Sequence, residues 1–214
     1  YSNVYTITGQ EITNNVTGGA TPVHTQGACQ FEAEDGTEAG ASILQGGISS
    51  IILNPGDCAR VRCTVDVTVA NSAAAAYGWK ASTDGGTYAS MPSSCGGGGE
   101  VCFTPSRFAS IAEDDPTTER LNAASTFVTG RIKLQPGTST AVAINNGQGS
   151  EFLAGVCIDS AAPDNRMYDF QLNRVGTDFN VYTVTPRITV DISAVPVFGG
   201  IVGGAILKGG LILK

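Results

Sequence analysis

Along residues 59–70 apolar and polar positions alternate without a break: Val61, Cys63, Val65, Val67 and Val69 fall on one parity, Arg60, Arg62, Thr64, Asp66 and Thr68 on the other. Successive side chains of a strand point to opposite faces, so this run predicts a strand with its valines in a core and its polar face in water. A register slip of one residue would turn the valines outward, at about 1.5–3 kcal/mol each. Further short runs, rich in β-branched residues and bounded by Gly, Pro, Asn or Asp, predict strands at 4–8, 49–53, 126–134, 138–144, 151–158, 167–175, 180–185 and 187–192. Helical periodicity is scarce: 73–76 is too brief, and 105–111 suffices for a turn or two. The expected fold is all-β, an antiparallel β-sandwich of immunoglobulin-like or jelly-roll-like type.

Two segments share one pattern, SIILNPGDCARVRCTV from Ser50 and GRIKLQPGTSTAVAI from Gly130. In each, a strand ending in Leu runs into Asn-Pro-Gly or Gln-Pro-Gly and then into a second apolar strand. Proline presets the first corner of a type II turn and glycine supplies the positive φ needed next. The arrangement resembles the strand, x-Pro-Gly, strand pattern of extracellular immunoglobulin-like sandwiches, including modules of surface fibres and adhesins. Its repetition fits either two lobes, 1–115 and 116–194, or one large body over 1–194 with two similar corners.

Charged residues make up only 14% of the 214 positions, against 28 glycines, a balance typical of secreted β-proteins. A net charge of −7 with no basic cluster argues against nucleic-acid or anionic-membrane partners. Six cysteines, at 29, 58, 63, 95, 102 and 157, include no CxxC pair and stand beside a single histidine, so disulfides are expected rather than zinc. Cys95 and Cys102 flank a Gly-rich loop that can close on itself. Cys63 shares the face of Val61 and Val65, which suggests Cys157 as its partner and leaves Cys29 to Cys58; Cys29 with Cys63, or an intersubunit link, remains an alternative. Asn15-Val16-Thr17 is a glycosylation sequon. With Tyr1 already reading as part of a strand region, a processed, secreted, extracellular chain is expected.

Catalytic chemistry finds few candidates. His24 lies in a polar Gly/Thr/Pro stretch that reads as a solvent-facing loop, and there is no GxSxG. Glu32, Glu34, Asp35, Glu38, Glu113, Asp114, Asp115 and Glu119 keep two-carboxylate glycoside chemistry and loop calcium sites in view, although clustering in Gly/Pro-rich loops reads first as solvated charge. The glycines at 96–99 lack the Lys-Ser/Thr of a phosphate loop, and no cofactor motif is present. Tyr77 and Trp79 share a strand face and with Tyr88 could form a carbohydrate platform; a Trp filling a sandwich core is the simpler reading.

The C-terminal segment 195–214, VPVFGGIVGGAILKGGLILK, stands apart. The uncharged run 192–207 is 16 residues long, contains Ser193 and Pro196, and falls short of the roughly 18–20 apolar residues of a membrane-spanning helix. Half of the residues 199–210 are glycine, each costing about 1 kcal/mol in a helix relative to Ala. Extended at about 3.3 Å per residue, the segment reaches roughly 60 Å, beyond the span of its own compact body. The expectation is therefore a structural protein that self-assembles into a filament or surface layer. In this reading Val195, Val197, Phe198, Ile201, Val202, Ile206, Leu207, Leu211, Ile212 and Leu213 form an extended strand that adds to a sheet of a neighbouring copy. A secreted carbohydrate-binding or adhesive module, with glycans as partners, is the alternative. The tail serving as the last strand of its own body is the other use of the same residues.

Overall fold

The structure is a computed structural model and describes residues 20–45, 49–96, 100–121 and 126–193. Its strands are β1 (Val23–Glu32), β2 (Ile43–Gln45), β3 (Ser50–Leu53), β4 (Cys58–Thr68), β5 (Tyr77–Thr83), β6 (Ala89–Ser90) and β7 (Val101–Cys102). They continue with β8 (Thr126–Val128), β9 (Ile132–Lys133), β10 (Gln148–Ile158), β11 (Met167–Arg174), β12 (Thr177–Asp178), β13 (Val181–Tyr182) and β14 (Arg187–Val190). A single 3-10 turn, Pro105–Arg107, is the only helical element among the described residues.

The strands form two sheets. The first runs β13-β1-β4-β10-β7, with β2 on β1 and with β8 and β9 on β10; the second runs β3-β14-β11-β5-β6, with β12 on β11. The long central ladders are antiparallel, but β13 on β1, β8 and β9 on β10, and β3 on β14 are parallel, so the sheets are mixed rather than purely antiparallel as expected. Strands from either side of residue 115 pair in both sheets, β4 with β10 and β5 with β11.

The alternation in β4 does what its pattern predicts on one face as far as Val67, whereas Val69 lies past the end of the strand and is 59% exposed. Val61, Cys63, Val65 and Val67 are buried in a core shared with Phe31, Phe152 and Val156 of the same sheet and with Tyr77, Trp79, Phe170, Leu172 and Ile188 of the other. Aromatic contacts bridge the layers, Tyr77 to Phe152 at 4.5 Å between ring centroids and Phe31 to Phe170 at 6.3 Å. The opposite face departs from expectation. Arg60 and Arg62 are fully buried rather than in water, because residues 33–42 and 104–121 fold across them. A second apolar cluster lies under this cover, where Phe108 and Ile111 meet Ile132, Leu134, Leu153, Cys102 and Cys157. Gly155 makes room for it: a Cβ there would come within 2.7 Å of both Phe108 and Leu134.

Both Pro-Gly corners carry the chain from one sheet to the other. Asn54-Pro55-Gly56-Asp57 joins β3 to β4, with Gly56 at φ 85° and Asp57 N–H donating to Asn54 C=O at 3.1 Å. Gln135-Pro136-Gly137, with Gly137 at φ 99°, leads from β9 to a bridge between Thr138 and Gly78 of β5. The expected strand 138–144 reduces to that bridge and one from Val142 to Ala75, because the Ser139 hydroxyl rather than a backbone carbonyl accepts the Tyr77 N–H.

Disulfides staple the first sheet. Cys95 bonds Cys102, as the closable loop suggests. The other two bridges differ from the favoured pairing: Cys29 bonds Cys63, which was the alternative, and Cys58 bonds Cys157. Register explains the choice, since each pair stands directly opposite on neighbouring antiparallel strands. Cys63 shares a face with the core valines, whereas Cys157 points to the other face of the sheet, into the covered cluster.

Candidate functional site

Histidine is the first candidate to be placed. His24 is not in a solvent-facing loop but inside β1, 5% exposed, with Nε2 3.2 Å from Ser72 Oγ and its ring stacked on Phe179 at 5.7 Å. Burial, reinforced by the positive charge of Arg174, lowers its pKa and keeps the imidazole neutral. Polar residues hid this strand from hydrophobic periodicity. Gln26, fully buried, links the layers by donating to Val184 C=O at 2.8 Å and accepting from Leu172 N–H at 2.7 Å.

The carboxylates are mostly not solvated. Glu32 lies 2.6 Å from Arg62 Nε and 3.1 Å from Arg120; Glu38 lies 2.6 Å from Arg62 and accepts from Thr118; Glu151 lies 3.1 Å from Arg62 and accepts the Arg120 and Leu121 N–H groups. Arg60 engages Glu34 at 2.6 Å and donates to Gly36 C=O and Ser110. This ionic cluster ties the two covering segments to the outer face of the first sheet. Burial works against the charge on Glu38, but hydrogen bonds from Thr118 and the Arg62 guanidinium outweigh it and hold the carboxyl below its usual range. Glu113 pairs with Lys133, and Asp114 accepts from Thr140 N–H and its hydroxyl. Of the sequence candidates Asp35, Asp115 and Glu119 are exposed, and Asp35 accepts the Ser42 N–H at 2.8 Å. Their neighbours' oxygens are committed to protein donors, and no group of three His, Cys, Asp or Glu side chains suited to a metal ion occurs among the described residues.

The aromatic platform dissolves into the core. Tyr77 is fully buried, Trp79 is 3% exposed, and Tyr88 is half-buried after β5. Desolvation pushes the Tyr77 hydroxyl up to about 12.

What the described residues do present is an open sheet edge. In the parallel pairing of β3 with β14, Arg187 N–H donates to Ser49 C=O at 2.6 Å and Asp191 N–H to Leu53 C=O at 3.0 Å. Peptide groups alternate sides along a strand, so Ser49, Ile51 and Leu53 bond inward while Ser50 and Ile52 direct N–H and C=O outward. No described strand pairs with that side. Neither charge nor proline blunts the edge, and the Ile52 side chain is 56% exposed. Ile43 on neighbouring β2 is 47% exposed and Ile192, just past β14, is 65% exposed. Sequence reasoning placed a strand at 49–53 without its position in the sheet. The sign of an edge was its shortness and the exposed second isoleucine of Ser-Ile-Ile-Leu.

The apolar segment 195–214, with the expected strand residues Val195 to Leu213, the strand expected at 4–8 and the sequon at Asn15 lie outside the described residues. No described helix is long and apolar enough to cross a membrane. No protein-family model matches this chain, and no curated protein matches it.

Proposed function

We propose that this is an extracellular structural protein that self-assembles into a filament or surface layer, one copy's apolar tail 195–214 adding as a strand to a sheet of the next. The observation that carries this reading is the open edge of β3: an uncharged strand with outward peptide groups and an exposed isoleucine, lying beside the strand from which the chain continues toward the tail. Strand addition supplies backbone hydrogen bonds along such an edge and seats alternate side chains against neighbouring apolar groups. Ile43, Ile52 and Ile192 are those groups here. The body is read as a sandwich of immunoglobulin-like or jelly-roll-like type, and its three disulfides suit an oxidising, extracellular setting. A head-to-tail contact of this kind that does not close into a ring propagates as a filament.

Deletion of 195–214 tests the reading. Light scattering and electron microscopy are expected to show polymers of the intact chain and a folded, soluble monomer of the truncated one. Polymerisation of the truncated chain, or an intact chain that stays monomeric at high concentration, overturns it.

A further inference from the structure

The covered face of the first sheet gathers four cysteines into one apolar cluster: Cys58 on β4, Cys157 on β10, Cys102 on β7, and Cys95 shortly before it. Cys157 stands directly opposite Cys58 on one side and directly opposite Cys102 on the other. Side chains directly opposite one another share a face, so the middle sulfur has a bonded neighbour to one side and an unbonded one to the other. Ile158 N–H donates to Asp57 C=O on the β4 side at 2.8 Å, which turns the peptide groups of Cys157 toward β7. Cys102 and Cys157 are therefore a hydrogen-bonded pair, with Cα atoms about 5.5 Å apart, inside the range that a disulfide spans. Cys102 Sγ lies 3.7 Å from the Cys157 carbonyl oxygen, and Cys95 Sγ lies 3.5 Å from the same atom. Access is graded. Cys102 and Cys157 are 0% and 4% exposed, while Cys95 and Cys58 are half-buried.

We propose that these four sulfurs form a thiol-exchange relay with its entry at Cys95. A small external monothiol, as its thiolate, attacks the accessible Cys95 sulfur; the Cys95–Cys102 bond breaks, a mixed disulfide forms at Cys95, and Cys102 leaves as the thiolate. Cys102 then attacks the Cys157 sulfur opposite it. The Cys58–Cys157 bond breaks, Cys102–Cys157 forms, and Cys58 departs as a thiolate that takes up a proton. One thiol enters and one thiol leaves, so no oxidant is consumed. The outcome moves a staple from the β4–β10 pair to the β10–β7 pair and makes Cys95 a site where a thiol-bearing molecule is joined covalently. Cys29–Cys63 takes no part, because both its sulfurs lie on the core face.

The test is peptide mapping by mass spectrometry after acid quench and alkylation. In full-length Cys95→Ser, where Cys102 begins as a thiol, the majority of molecules are expected to carry a Cys102–Cys157 bridge with Cys58 alkylated. A retained Cys58–Cys157 bridge with Cys102 alkylated overturns the relay. Should that variant not fold, the native chain exposed to limiting reduced glutathione decides. A glutathionyl adduct on Cys95 with Cys58 alkylated supports the relay; an adduct on another cysteine, or reduction of Cys95–Cys102 with Cys58–Cys157 untouched, overturns it.

Discussion

Arg62 is fully buried and faces three carboxylates, Glu32, Glu38 and Glu151; burial works against its charge, but Glu32 and Glu38 draw its pKa up. Removing it strands Glu32 and Glu151, both with fully buried side chains, without their main cation. Arg62→Ala is expected to destabilise the protein by about 3–5 kcal/mol, a Tm loss of roughly 6–20 °C for a chain of this size, measured by thermal and denaturant unfolding. Arg166→Ala is the control. Its side chain is 30% exposed and that of its partner Asp84 is 45% exposed, so its loss should cost less than about 1 kcal/mol. Equal effects of the two substitutions would show that the buried cluster is not a clamp. Parity in β4 assigned Arg60 and Arg62 to one face correctly but not to an environment, because a period of two says which residues share a face and nothing of what lies over it. The signal was in the chemistry: two arginines rather than lysines, near the acidic stretch EAEDGTE from Glu32.

Elements were readable where a local rule governs them. The Pro-Gly corners at 55–56 and 136–137 were visible because φ preferences are local, β4 because its apolar positions alternate, and β10 and β11 as short runs bounded by turn residues. β1 was not. Its buried positions hold His24 and Gln26, and Gly27 sits where its register slips against β4, so its burial is secured by partners more than 45 residues away rather than by apolar content. Strand β3 was placed but its role as an edge was not, since pairing with β14 joins residues at opposite ends of the described chain. That edge supports a sharp prediction. Ile52→Lys puts a charge on an exposed position, so folding stability should change by no more than about 0.5 kcal/mol. Strand addition should nonetheless fail, and sedimentation should show loss of polymer with unchanged unfolding curves. Polymer formation at the native level would exclude β3 as the acceptor.

At the scale of the molecule, charge and burial combine into a pH profile. His24 has a lowered pKa in the fold, so its contribution is fully present above about 6.5 and is lost as pH falls through that value toward the lower folded one. Glu38 and Asp35 are also lowered, and their contributions disappear at more acidic pH, below the ordinary carboxyl range. Denaturant unfolding from pH 8 to pH 3 should thus show two declines, and His24→Gln should remove only the upper one. A variant that keeps the upper decline would assign it elsewhere. Neither the profile nor the choice of Cys29–Cys63 over Cys63–Cys157 was readable before the strands were paired, because both depend on which strands lie side by side. The open flank of β3 has a last consequence. A subunit with one acceptor edge and one donor tail is, in polymer terms, bifunctional: it yields linear chains rather than branched networks. In the proposed assembly, copies lacking 195–214 accept a strand but pass none on, so a minor fraction mixed into native material should act as chain stoppers, shortening the filaments in electron micrographs in proportion to their share.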